Sequence, residues 1–349
     1  MIKNIIYITY KTIAKYGVHL FYRGITKVGF EHIPDKGTPF IYAVNHQNAF
    51  LDAVIVGSIS PIPTYFMTRS DVFKPPFDWF LDALKMMPIY RIRDGYSSLS
   101  KNDAIFETCK NILEQNKAIL IFPEGNHGLE YFLRPLTKGV ARIALKSQQE
   151  ISPSIKIVPV GLNYFNHFHS GNRLIIKYGE PLDMKDYMEL FEEHPQKGYR
   201  KLMPDIAEAM KSTLIIDEEQ SNYTEQKGIF NRANESLSFE DLKSNLNNKE
   251  LTGKEPSRYP LLAFIGKMFG IFNWPPLALC DYIIKKKTSQ SIFQASIRIA
   301  MGVLIFPKWL LLCFIIMLVM KGWLWAVGLL AIQIISLIIR RELVRLGRR

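Results

Sequence analysis

A histidine and an aspartate six positions apart, His46 and Asp52, stand between two apolar stretches, Phe40–Val44 and Asp52–Val56. The first is continuous apolar and aromatic and reads as a short buried strand, and the second opens what reads as a buried helix. On one straight helix, six steps of about 100° would place the two side chains about 240° apart, so a contact between them needs a turn. On such a turn the pair suits a general base with its orienting acid. The imidazole removes a hydroxyl proton, and the carboxylate fixes the ring's tautomer and steadies the imidazolium. No serine or cysteine of the protein is required if the substrate brings its own hydroxyl. A buried polar pair that caps a helix would use the same residues, and this stretch alone leaves both readings open.

A second chemical element follows the apolar run Met87–Tyr90, which ends in Arg91-Ile92-Arg93-Asp94-Gly95. A guanidinium can hold two phosphate oxygens at once, so Arg91 and Arg93 at a strand end make a phosphate fork. Two solvated surface arginines would look the same. A third polar loop, Pro123-Glu124-Gly125-Asn126-His127-Gly128, follows the apolar strand Ala118–Phe122.

The elements that must position these residues alternate along the chain. Residues 2 to 22 read as a helix with Lys3, Lys11 and Lys15 on one arc of about 120° and apolar residues elsewhere, which fits either a lipid headgroup layer or packing on its own domain. Strands are expected at Ile25–Phe30, Phe40–Val44, Thr64–Thr68, Met87–Tyr90, Ala118–Phe122, Lys156–Val160 and Arg173–Tyr178. Helices are expected at 102 to 116 and 138 to 146. This alternation predicts an α/β layered domain over about residues 25 to 215, with its site built at strand ends.

The chain has 349 residues, enough for one large domain or two modest ones, and carries 44 Lys and Arg against 32 Asp and Glu, a net charge of +12. That excess calls for an anionic partner. With 48% hydrophobic residues, a membrane surface fits better than nucleic acid. The basic residues also lie beside apolar runs rather than on an aromatic-studded polar face, so no nucleic acid is expected as partner. Cys109, Cys280 and Cys313 are scattered and give no metal or redox spacing, so neither a structural zinc nor any other metal is expected. The N-terminus lacks the compact apolar core and cleavage site of a signal peptide, and the catalytic domain is expected in the cytoplasm.

Residues 216 to 260 change to Asn, Glu, Lys, Ser and Gln and read as a polar linker outside the core. Hydrophobicity then rises. Leu261–Ile284 is apolar but interrupted by Lys267, Asp281 and Trp274-Pro275-Pro276, which favours an interfacial or re-entrant segment. Ile299–Met320 spans about 33 Å as a helix, enough for a hydrocarbon core of about 30 Å, and after Lys321-Gly322 the run Trp323–Ile339 returns. A transmembrane hairpin is therefore expected at about 299 to 339, within a membrane-associated region 261 to 349. Lys285, Lys286, Lys287 and Arg298 before it, and Arg340, Arg341, Arg345, Arg348 and Arg349 after it, place both flanks on the cytoplasmic side. The α/β domain is expected to fold without residues 290 to 349.

Four blocks in order give the chain a resemblance to the glycerophospholipid acyltransferase family. Asn45-His46 to Asp52 resembles its His-to-Asp motif, Pro88-Ile89-Tyr90-Arg91 its second block, Phe122-Pro123-Glu124-Gly125 its third and Val158-Pro159-Val160 its fourth. Lys138-Gly139-Val140-Ala141 and Gly179-Glu180-Pro181 are similar to its later landmarks. There are two departures. Five residues separate His46 from Asp52 where the family's usual motif has four, a variant similar to the fungal branch acting on glycerol-3-phosphate or dihydroxyacetone phosphate. Asn126-His127-Gly128 stands where threonine and arginine usually follow, which moves a phosphate ligand to Arg93, Arg134 or Lys138.

The resemblance implies a mixed sheet flanked by helices and a membrane-bound O-acyltransferase of phospholipid biosynthesis. The donor would be an acyl-CoA or acyl-carrier-protein thioester, used as co-substrate with no resident cofactor. The acceptor would be glycerol-3-phosphate, lysophosphatidic acid or another lysolipid. His46 would be the base and Asp52 its orienter, Arg91, Arg93 and Lys138 would hold the glycerol phosphate, and Glu124 and Gly125 would shape its glycerol end. A noncatalytic adaptor that binds anionic membrane lipids is the alternative of another class.

Overall fold

Five consecutive apolar residues, Phe40–Val44, are all fully buried and form the central strand of the sheet. In the computed structural model the described residues are 1–89, 101–168, 170–232, 236–247, 259–287 and 293–347. Arg91 and Arg93 lie outside them.

The chain opens with helix α1 (Ile2–Phe21) and strand β1 (Gly24–Val28), then β2 (Phe40–Val44), α2 (Phe50–Ile59), β3 (Thr64–Arg69), α3 (Asp78–Ala83) and β4 (Met86–Ile89). Helix α4 (Lys101–Glu114), β5 (Ala118–Ile121), α5 (Gly139–Glu150), β6 (Lys156–Tyr164), β7 (Arg173–Tyr178) and β8 (Leu182–Asp183) follow, then α6 (Met188–Glu193) and α7 (Pro195–Ser212). The strands form one mixed sheet in the order β1-β7-β6-β2-β5-β3-β4, with β8 on β6. Strands β5, β2 and β6 run parallel, with Ala43 opposite both Ile121 and Pro159, while β7 and β8 run antiparallel to β6. The carboxyl ends of the three central strands therefore open on the same edge, where open α/β sheets build their sites.

Because successive strand residues point to opposite faces, the same strands supply two cores. Ile41, Ala43, Ile119, Ile121 and Ile157 pack under residues of α4, α5, α6 and α7. Phe40, Tyr42, Val44, Leu120 and Val158 pack against residues of α1, α2 and a much later helix. The central strands β2 and β5 are unbroken apolar runs because both of their faces are covered. Helix α1 buries Tyr7, Ala14, Val18 and Phe21 on the domain and leaves Ile2, Ile5, Ile8 and Tyr16 exposed.

The expected polar linker needs correction. Helices α8 (Tyr223–Arg232) and α9 (Phe239–Asn247) bury Phe230, Phe239, Leu242 and Leu246 against Phe165, Ile175 and Ile216 in a third core. A few apolar residues at helical spacing sufficed inside a polar composition. Next, α10 (Pro260–Met268) and α11 (Trp274–Lys287) are apolar and bent by 50° where they meet, the form of a broken span or re-entrant loop.

Helices α12 (Gln294–Leu304), α13 (Phe306–Lys321) and α14 (Trp323–Leu346) complete the chain. Gln294–Lys321 and Trp323–Leu346 are long and apolar enough to cross a membrane. The exposed part of the hairpin begins later than hydropathy placed it. No residue of α13 is buried, whereas α12 buries Ala295, Ser296, Ile299 and Met301, and Ala295 and Ile299 join the core of the α/β domain. Removing everything after residue 290 would thus open that core rather than spare it, because an apolar helix face can serve a protein core as well as a bilayer.

Candidate active site

Strand β2 ends at Val44, and Asn45 anchors the loop that carries His46. Its side-chain amide donates to the Leu162 carbonyl (3.2 Å) and its Oδ1 accepts from the Leu162 amide (2.7 Å), locking the loop to β6. His46 then stacks its ring on Phe122 at the end of β5, with centroids 3.9 Å apart and planes 12° off parallel. The turn that the His-to-Asp spacing required lies at Ala49, with φ 45° and ψ −129°. Glycine is the usual occupant of a positive φ, so an alanine here stores backbone strain.

The turn starts α2 at Phe50 and places Asp52 in its first turn, fully buried. Asp52 Oδ2 accepts from His46 Nδ1 (2.8 Å) and from the amides of Gln47 (2.9 Å) and Asn48 (2.8 Å), and its Oδ1 accepts from the Tyr164 hydroxyl. All four partners are donors, so both oxygens of Asp52 act as acceptors. A carboxylate only accepts, so Nδ1 carries the hydrogen and Nε2 of the neutral ring is the basic nitrogen. The His46 side chain is 14% exposed, and among the described residues Nε2 has no hydrogen-bond partner.

The β5 loop closes the other side. Gly125 has φ 72°, a left-handed conformation that suits glycine, and its amide donates back to the Phe122 carbonyl (3.0 Å). The His46 carbonyl accepts from the Gly128 amide (3.0 Å) and from Arg134 Nη2 (3.1 Å). Arg134 also binds the Glu124 carboxylate and the Asn126 carbonyl, so this arginine, a candidate phosphate ligand by sequence, ties the loop together. Burial pushes the Glu124 carboxyl up to about 7, against the opposing pull of Arg134 and of a backbone hydrogen bond at His46. His127 meets the His46 ring edge-on at 5.5 Å, and burial lowers its pKa. Lys138 is exposed at the N-cap of α5.

The structure thus brings His46, Asp52, Glu124 and Gly125 into one loop cluster, leaves Lys138 at the head of the next helix, and does not describe Arg91 or Arg93. Three participants escaped the sequence reading. Tyr164 was missed because β6 was expected to stop at Val160 and instead runs four residues further. His167, held neutral by burial with its pKa pulled down to about 4, bonds the Gln47 side chain at 3.0 Å, and Asn48 Nδ2 donates to the His167 carbonyl at 2.8 Å. The third is Ser296, whose Oγ touches the turn itself.

Beside α2 lies an apolar cavity of about 190 Å³ whose walls come from α1, α2, α3, β3, β4 and α12. Phe50, Ala53 and Gly57 form its side on α2, and Ala300 and Val303 its side on α12. Among the described residues there is no His, Cys, Asp and Glu cluster able to hold a metal ion.

A family model described as acyltransferase matches residues 24–163, which contain His46, Asp52, Glu124, Gly125 and Lys138. The 1-acyl-sn-glycerol-3-phosphate acyltransferase of Helicobacter pylori is 30% identical over 190 residues, covering 51% of this chain and 76% of that protein. The chain belongs to the acyltransferase family. A further acyltransferase, glycerol-3-phosphate O-acyltransferase 2 of Saccharomyces cerevisiae, is 29% identical over 119 residues, but the match spans only 16% of that protein and 34% of this chain. A solved acyltransferase, the 1-acyl-sn-glycerophosphate (LPA) acyltransferase PlsC of Thermotoga maritima, superposes with a TM-score of 0.41 at 19% identity, covering 58% of this chain and 79% of that one.

Proposed function

We propose that this chain transfers a fatty acyl group from a thioester donor, acyl-CoA or acyl-carrier protein, to a hydroxyl of glycerol-3-phosphate or of 1-acylglycerol-3-phosphate, at a membrane surface. The observation that carries the proposal is the His46–Asp52 pair, with the carboxylate held by four donors and Nε2 left open. His46 Nε2 takes the proton of the acceptor hydroxyl as its oxygen attacks the thioester carbonyl. Asp52 steadies the imidazolium that results. The tetrahedral intermediate then expels the thiolate, which takes the same proton back from His46, giving ester and thiol with His46 neutral again.

The apolar cavity beside Phe50 is the receptacle for acyl methylenes, each worth about 0.8 kcal/mol when buried. Arg91, Arg93 and Lys138 hold the acceptor phosphate. Glu124 and Gly125 shape the acceptor's side of the site through the β5 loop, since the Glu124 carboxylate itself is turned to Arg134. The hairpin α13–α14 spans the bilayer, with the basic residues at its two ends keeping the catalytic domain on the cytoplasmic face.

The named activities of the relatives include both acceptors, so both enter the test. The full-length protein is purified in detergent and given palmitoyl-CoA with glycerol-3-phosphate, with lysophosphatidate, or with neither. Thiol release that requires one of the acceptors, and that falls at least 10²-fold in His46→Ala, is the expected result. Lipid binding without acceptor-dependent thiol release would instead identify a noncatalytic adaptor.

A further inference from the structure

Ser296 lies 248 residues after Asn48, in the part of α12 that precedes the expected hairpin, yet its hydroxyl sits in the turn between His46 and Asp52. Its Oγ donates to the Asn48 carbonyl (2.9 Å) and accepts from the Leu51 amide (3.2 Å), and the residue is 5% exposed. These are the two ends of the turn that carries the strained Ala49. The Asn48 amide, on the same residue as that carbonyl, is a donor to Asp52 Oδ2, on which the His46 ring is hung.

Neighbouring residues seat α12 against the same site. Arg298 donates to the Phe168 carbonyl (2.9 Å), next to His167, and Phe293 meets the His127 ring edge-on at 5.1 Å. Ala295 and Ile299 pack in the core with Leu51 and Ile55 of α2.

We propose that Ser296 is a positioning residue for acyl transfer: it clamps the Asn48–Leu51 turn from α12, so that the His46–Asp52 pair holds its reactive geometry only while the helix leading into the hairpin is docked. The proposal rests on the acyl-transfer reading of the site. A purely structural role is separable from it on physical grounds. The Leu51 amide also bonds the Asn48 carbonyl directly, at 3.0 Å, so losing the serine hydroxyl leaves neither group bare. The folding cost should be small, because burial without a partner is what makes a lost hydrogen bond expensive. The lost restraint acts on the placement of the base, where a shift of about 1 Å can cost roughly 10² in rate.

The test uses the full-length protein with palmitoyl-CoA and whichever of glycerol-3-phosphate and lysophosphatidate it accepts. Ser296→Ala, Ser296→Val and Ser296→Thr are compared, the last two having the same shape without and with the hydroxyl. Ser296→Ala and Ser296→Val are expected to lose about tenfold in kcat, with both KM values within twofold of wild type and a cooperative melt. Ser296→Thr is expected to recover most of the difference from Ser296→Val. Wild-type kcat in Ser296→Ala, equal impairment of Ser296→Thr and Ser296→Val, a change confined to KM, or loss that only tracks the unfolded fraction would each overturn the assignment. A His46→Ala control that keeps wild-type turnover would overturn the acyl-transfer reading beneath it, which is a different result.

Discussion

Replacing Asp52 by Asn removes one charge from the site while conserving its shape. The asparagine has one acceptor oxygen and one amide nitrogen, and its orientation is set by its neighbours. The Gln47 and Asn48 amides at 2.9 and 2.8 Å both require an acceptor, so the oxygen must take the place of Oδ2 and the NH2 group must face the Tyr164 hydroxyl. That hydroxyl can turn and accept. His46 Nδ1–H then still finds an acceptor, and the tautomer with a basic Nε2 survives. What is lost is the attraction between carboxylate and developing imidazolium. With charges about 4 Å apart and an effective dielectric of about 20, it amounts to about 4 kcal/mol. At about 1.4 kcal/mol per factor of ten, kcat should fall by roughly 10³. This is smaller than the roughly 10⁴ seen when the same change in a serine-protease triad also inverts the tautomer. The assay is acceptor-dependent thiol release from palmitoyl-CoA, with a thermal melt to show that the variant is folded. Turnover within tenfold of wild type in folded Asp52→Asn would falsify the role given to the carboxylate.

Other outcomes rest on the same geometry. Tyr164→Phe takes one donor from a buried carboxylate and should lower stability by about 1.5–3 kcal/mol, seen as a lower denaturation midpoint with a smaller loss of kcat than Asp52→Asn. Ala49→Gly relieves the positive φ and should raise stability by about 1 kcal/mol in thermal melts, whereas a β-branched residue there should lower it. The Glu124 carboxyl, at about 7 in the folded protein against about 4.5 ordinarily, has a raised folded value. Its protonated form therefore stabilises the fold fully below about 4.5, and that contribution is lost as the pH rises through 7. Melts at pH 5 and pH 8 should show wild type losing about 2–3 kcal/mol relative to Glu124→Gln over that interval. Ala53→Phe and Ala300→Phe fill the apolar cavity and should shift donor preference to shorter chains, by roughly fourfold in kcat/KM per excluded methylene, without changing the acceptor KM.

The central strands were legible because residues buried on both faces of a parallel sheet form unbroken apolar runs, as in Phe40–Val44 and Ala118–Ile121. His46 and Asp52 were legible as a pair, and so was the need for a turn, since helical geometry excludes a direct contact. The residues that complete the site were not. Gly161 and Asn163 interrupt the apolar pattern of β6, so Tyr164 fell outside the strand that delivers it. Arg134 has the composition of a phosphate ligand, but only its carbonyl and carboxylate neighbours show that its Nη2 is engaged in the loop. A serine just ahead of a long apolar run gives no local sign of a partner 248 residues earlier. Phe230 and Phe239 were lost in a polar background because composition averages over the two residues that decide whether a helix docks.

The distance along the chain between Asn48 and Ser296 also sets an order of events during synthesis. At roughly 5–20 residues per second, about 10–50 s pass between completion of the turn and arrival of the hydroxyl that bridges it. From residue 183 onward the growing chain contains its base, its acid and all the strands of its sheet, but not the face of α12 that covers the α2 side of the core. A ribosome-bound chain at this stage would hold a histidine beside an open apolar cleft. Delay of the last wall until the apolar C-terminal helices emerge ties the onset of reactivity to the moment when those helices find their own surroundings.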